Sequence, residues 1–195
     1  MKTIVICALS LALTVSLAFT QDKGKGGGPG KAKAPGMWLK SPDFEDGAII
    51  PDKFTQAVGA AAVSPRLEWT QVPDGTQAFT LLFHDPDPSV NKSADDVTHW
   101  LIFNIPGTAR ELPGGATSAN LPAGTIQAAN LRNTKDYMGP GNQAINPYHH
   151  YTFELFALDA KLPLDENATR PQIMEAMRGH VIGKAVLVGR FKRPN

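Results

Sequence analysis

"QAFTLLFHDPDPSVNKSADDVTHWLIFNIP", residues 77–106, is the stretch whose reading decides the fold. Its first part, "QAFTLLFH" (77–84), is β-branched, aromatic and nearly continuous in apolar residues. A strand buried on both faces reads this way, because neither face needs polar side chains for solvent. "HWLIFNIP" (99–106) repeats the pattern and ends in a proline turn. Between the two runs, Asp85 and Asp87 each precede a proline, which is turn chemistry.

Working outward, "YTFELFALD" (151–159) sets Tyr151, Phe153 and Leu155 against Thr152 and Glu154, the alternation of a half-buried strand. "KAVLVGRFKR" (184–193) alternates Ala185, Leu187 and Phe191 with polar or basic positions near its end. "GMWLKS" (36–41) and "PRLEWTQVP" (65–73) are weaker strand candidates. Gly, Pro and Asn clusters such as "NIPGTARELPGG" (104–115) and "MGPGNQAINP" (138–147) read as loops. One segment, "TRPQIMEAMRGH" (169–180), is helical, with Thr169 and Gln172 spaced as a capping box and Pro171 in the first turn. Ile173, Met174 and Met177 form its apolar stripe, read as core filler, and Gly179 stops it. Many short strands with a late helix predict a mainly β protein, a Greek-key β-sandwich with one or two short helices near the C-terminus.

The N-terminus follows different rules. "MKTIVICALSLALTVSLAFTQ" has one early lysine, an apolar run and then small residues, the grammar of a secretory signal peptide over residues 1–20, cleaved after Ala18 or Thr20. An uncleaved anchor is the competing reading. Residues 21–36, rich in Gly and Lys, read as a flexible linker, and residues 37–195 as the folded domain. Cys7, the single cysteine, lies inside the apolar run. The exported domain is therefore expected to have no disulfide, zinc-thiolate site or cysteine nucleophile, and to be secreted or periplasmic. "NKS" at Asn91 and "NAT" at Asn167 fit the glycosylation triplet, which matters only in a eukaryotic secretory route. A net charge of +1 with interspersed acids and lysines excludes a dense basic face, so no nucleic-acid partner is expected. The linker lysines leave peripheral membrane contact open.

Polar groups that border the apolar strands are the candidate site: Asp85, Asp87, His99, His149 and His150. If "HHY" opens a strand, its two rings point to opposite faces, so one of them joins a given site. His84 and His180 have no polar neighbours in the sequence and read as structural. No metal-ligand spacing such as H-E-x-x-H occurs, and no G-x-S-x-G elbow, so neither a metal, a cofactor nor an enzyme is expected. Histidines, backbone N–H groups and acids suit a small pocket for an anion that also offers a donor.

The ordered set "DPDP" (85–88), "THWLIFNIPG" (98–107), "YMGPGN" (137–142), "HHYTFELFALD" (149–159) and "MRGHVIGKAVLVGRF" (177–191) resembles the phosphatidylethanolamine-binding protein family, in particular its bacterial Raf-kinase-inhibitor-like branch. The resemblance implies a β-sandwich whose pocket binds phosphate or a phospholipid head group. It places Asp85, Asp87, His99, Gly139, Gly141, His149 and Tyr151 at that pocket, with His99 and His149 facing the anion, Asp85 orienting a histidine or accepting from the ligand, and Tyr151 in the wall. The chain departs from the family pattern where Pro88 follows Asp87 directly, where "GNQAINPYHH" lengthens the connection after the glycine loop, and where His150 stands in place of an arginine. The function expected is binding of a small anionic ligand. The alternative is an inhibitor or regulator that acts through surface loops on a protein partner, a protease or envelope protein.

Overall fold

The computed structural model describes residues 36–90 and 92–194. The signal-like segment, the linker up to residue 35 and Asn91 of its triplet lie outside the described residues. Among the described residues, eight strands and one α-helix follow in order: β1 (Trp38–Lys40), β2 (Leu67–Thr70), β3 (Ala78–Asp85), β4 (Val97–Pro106), β5 (Glu111–Leu112), β6 (Ile126–Ala128), β7 (His149–Leu158), α1 (Arg170–Ala176) and β8 (Val181–Phe191). Short 3-10 turns over Asp52–Phe54 and Gln56–Ala61 join β1 to β2.

The strands form two sheets, one of order β1-β2-β5 and one of order β6-β4-β3-β7-β8, with every pairing antiparallel. Within the larger sheet β7 returns over a long connection to lie beside β3, on the side away from β4. That spatial order, β7-β3-β4-β6, is the Greek-key arrangement.

Two apolar layers explain the sequence pattern. Leu39, Leu67, Trp69 and Leu112 of the smaller sheet pack against Phe79, Leu81, Phe83, Phe153 and Leu187 of the larger one. On the other face, Leu82, Leu101, Phe103 and Phe156 pack against Ile173 of α1 and against Met177, which caps its C-terminal end. β3 lies between both layers and is buried along its whole length, which is why its sequence is a continuous apolar run. α1 starts as its capping box dictates: the Thr169 N–H donates to Gln172 Oε1 at 2.8 Å.

Three expectations need correction. Met174 is 36% exposed and is not core filler; only Ile173 and Met177 of the stripe reach the layer beneath. The "NIPGTARELPGG" segment is not all loop, because Glu111–Leu112 pairs with β2. His84 and His180 do have polar partners: His84 Nδ1 lies 2.7 Å from Asp96 Oδ2, and His180 Nδ1 lies 2.8 Å from Asp159 Oδ1. Both acids are distant enough in sequence that only strand pairing brings them to the rings.

Candidate functional site

Antiparallel pairing collects the polar constellation at one end of the larger sheet. β3 ends at Asp85, which pairs with Val97 at the start of β4, while His84 pairs with Thr152 near the start of β7. Asp85, His99, His149 and Tyr151 therefore meet although they are scattered along the chain.

A bulge aims His99. Along β3 the partner steps from Trp100, opposite Phe83, to Thr98, opposite His84, so His99 is the extra residue. Strict alternation would put His99 and Trp100 on opposite faces. Instead both reach the layer between the sheets: His99 lies 5.4 Å from the Phe83 ring and 5.2 Å from the Tyr151 ring, and Trp100 meets Tyr137 edge-on. Phe83 anchors this group, stacked on Phe153 at 3.9 Å and on Tyr137 at 5.5 Å between centroids.

The hydrogen bonds fix each ring. His99 Nδ1 donates to the Met138 carbonyl at 2.8 Å, which leaves Nε2 for a ligand. Burial pushes the His99 pKa down, against the opposing pull of the Met138 carbonyl and the Asp85 charge. His149 Nδ1 donates to Asp85 Oδ2 at 2.8 Å, and the Asp87 N–H donates to Asp85 Oδ1 at 3.1 Å. The Tyr151 hydroxyl accepts the Asn142 N–H at 3.3 Å. Burial and then the Asp85 charge raise its pKa well above the usual phenol range, so it stays a neutral hydroxyl.

These side chains open onto a cavity of about 210 Å³, walled by Asp85, His99, His149, Tyr151, Gln56 and Arg132. Val97, Leu131, Met138, Gly141 and Asn142 complete it. Gln56 and Arg132 carried no local signal in the sequence. Arg132 Nη2 donates to Gln56 Oε1 at 2.5 Å, and Gln56 Nε2 donates to the Gly139 carbonyl at 2.7 Å. The glycine loop must pass close to this amide: a Cβ on Gly141 would lie 2.4 Å from Gln56 Nε2, and one on Gly139 would lie 2.7 Å from the Phe54 carbonyl oxygen.

Among the residues singled out by sequence, Asp87 and Gly139 are not part of the cavity wall. The turn that lets the Asp87 N–H reach Asp85 directs the Asp87 carboxylate toward β7. There its Oδ2 accepts the His150 N–H at 2.5 Å and lies 3.2 Å from the His150 ring. His150 itself points outward, as the alternation of "HHY" requires. Asp85, Asp87 and His149 place one ligand-type atom each within 4.8 Å of one another. The hydrogen bonds above already use these groups, so we read the trio as the brace of the pocket and not as a metal centre.

A second polar cluster occupies the opposite face. His84 lies between Asp96 and Glu154, at 2.7 and 3.6 Å. Arg170 at the start of α1 grips both oxygens of Asp96, and Lys184 pairs with Glu154 at 2.6 Å. His84 and Lys184 hold the Glu154 pKa down at about 2. The cluster ties α1 and β8 to the central strands.

A family model described as phosphatidylethanolamine-binding protein matches residues 40–192. The chain belongs to the phosphatidylethanolamine-binding protein family. Membership makes it a ligand-binding protein in the broad sense. Among its relatives, a UPF0098 protein of Methanothermobacter thermautotrophicus is 37% identical over 158 residues, 80% of this chain and 99% of the relative. The crystal structure of Escherichia coli YbcL, described as a new member of the mammalian family, is similar with a TM-score of 0.72 and 25% identity, covering 82% of this chain and 100% of that one. A homologue from Chlamydia trachomatis is similar with a TM-score of 0.69 and 30% identity, covering 82% and 99%. Among the described residues, no helix is long and apolar enough to cross a membrane.

Proposed function

We propose that this family member is an exported, non-enzymatic binding protein whose pocket at the end of β3, β4 and β7 takes phosphate or a phosphorylated head group. The observation that carries the reading is the convergence of His99, His149, Tyr151 and Arg132 on one cavity of about 210 Å³, with Asp85 bracing His149 at 2.8 Å. That volume suits a phosphate-sized group with a short substituent and is below the ~300–1,000 Å³ of pockets for drug-sized ligands. Arg132 supplies a fixed positive charge, and Tyr151 supplies a neutral hydroxyl.

Isothermal titration with phosphoethanolamine tests the reading. Saturable binding that His99→Ala weakens is the expected result. Absence of heat for both phosphoethanolamine and inorganic phosphate contradicts it.

A further inference from the structure

On the face of the larger sheet away from the cavity, His84 sits among charges and has no place in the cavity wall. The residue is buried, at 9% exposed. Its Nδ1 lies 2.7 Å from Asp96 Oδ2, and its Nε2 faces Glu154 Oε2 at 3.6 Å. Nε2 is buried and has no hydrogen-bond partner among the described residues. A neutral imidazole carries one N–H and one lone pair. Whichever nitrogen keeps the proton, the other turns a lone pair toward a carboxylate. The ring with both protons is the form that offers an N–H to each side.

The surrounding charges favour the same form. Arg170 of α1 holds both oxygens of Asp96 and donates to Thr98 Oγ1 at 3.2 Å, and the Asp95 charge acts on it as well. Lys184 of β8 pairs with Glu154 of β7 at 2.6 Å. Three carboxylates, Asp95, Asp96 and Glu154, then face two cations, Arg170 and Lys184. A second ring proton on His84 cancels the remaining negative charge. Glu154 stays ionised, its pKa held at about 2 by His84 and Lys184, so the charge facing Nε2 persists across the range where a histidine titrates.

We infer that His84 is a pH-sensitive latch: the doubly protonated ring ties the turn that ends at Asp96 to β7, and loss of one proton releases that tie. Its position gives the latch reach. His84 pairs with Thr98 of β4 and with Thr152 of β7, and Asp96 precedes Val97, the partner of Asp85. A neutral ring keeps one hydrogen bond and leaves the other nitrogen unpaired against a buried carboxylate. The folded chain therefore holds the second proton more tightly than the unfolded chain does. By linkage, the stabilisation is complete in acid solution and is lost as pH rises through the histidine range, opposite in sign to the effect of Glu154.

Ring-nitrogen NMR of the purified chain, with amide exchange in the same samples, tests the latch. At about pH 7 His84 should show an N–H at both nitrogens, whereas an unperturbed histidine is mostly neutral there. Protection of the amides in the β3–β4 and β3–β7 rungs beside His84 should fall about tenfold between about pH 6 and about pH 8, the difference between a charge-assisted and a neutral hydrogen bond. Glu154→Gln removes the charge that faces Nε2 at nearly constant size. In that variant His84 should give up its second proton at lower pH, and the fall in protection should shrink. His84→Gln has no proton to lose and should flatten the fall. A singly protonated His84 at about pH 7 in the parent chain overturns the latch, whether or not either variant folds. So does a His84 titration that Glu154→Gln leaves unmoved.

Discussion

Asp85 and His149, at the end of β3 and the start of β7, meet at 2.8 Å through a carboxylate and a ring N–H, and both face the same cavity. The contact fixes which ring nitrogen of His149 is left for a ligand. Asp85→Ala would strand that N–H and the Asp87 N–H without acceptors. A loss of about 1–3 kcal/mol is expected, read as a lower urea midpoint with an unchanged slope. A variant as stable as the parent would show that water replaces the carboxylate at no cost.

Phe83 stacks on Phe153 and Tyr137 and touches His99, so it links core packing to the pocket. Phe83→Ala should cost about 3–5 kcal/mol and also weaken phosphate binding. Phe83→Leu keeps much of the volume and should cost clearly less in a denaturant titration.

Gly139 and Gly141 differ in what a side chain would strike. At Gly139 a Cβ meets the backbone of Phe54 and Thr55, at 2.7 and 3.0 Å, whereas at Gly141 it meets the Gln56 side chain at 2.4 Å, which can swing away. Gly139→Ala should therefore destabilise more, by about 1–3 kcal/mol. Gly141→Ala should act chiefly on binding, by displacing Gln56 and with it Arg132. Equal thermal shifts for the two variants would contradict this.

Glu154 gives a pH dependence with a definite sign. His84 and Lys184 hold its folded pKa at about 2, against 4.5 for the ordinary carboxyl. The stabilisation is present above about 4.5 and is lost as pH falls through that window toward 2, where the unfolded chain takes up the proton first. Glu154→Gln should flatten the stability profile over that acid limb. A profile parallel to that of the parent would mean the pairing contributes nothing.

Much of the fold was legible because β3 and β7 advertise their burial, one as a continuous run and the other by alternation. β5 and β6 escaped because strands as short as Glu111–Leu112 and Ile126–Ala128 carry no readable period. In the site, Asp85, His99 and His149 are legible as polar residues bordering apolar strands, while their grouping and the place of Tyr151 come from the family resemblance. The bulge that turns His99 inward has no signature in "THWLIF". Gln56 and Arg132 were out of reach, since their contacts span 83 and 76 positions and Gln56 lies in an unremarkable 3-10 turn. The family resemblance puts Asp87 at the pocket, whereas the turn after Asp85 directs its carboxylate to the His150 N–H of β7.

The most direct measurement is a side-chain NMR titration of the histidines with inorganic phosphate. The account predicts that the His99 and His149 ring signals move together and saturate, while His180, paired with Asp159 away from the cavity wall, stays still. Signals of His99 and His149 that do not respond, or that move no more than His180, would contradict it.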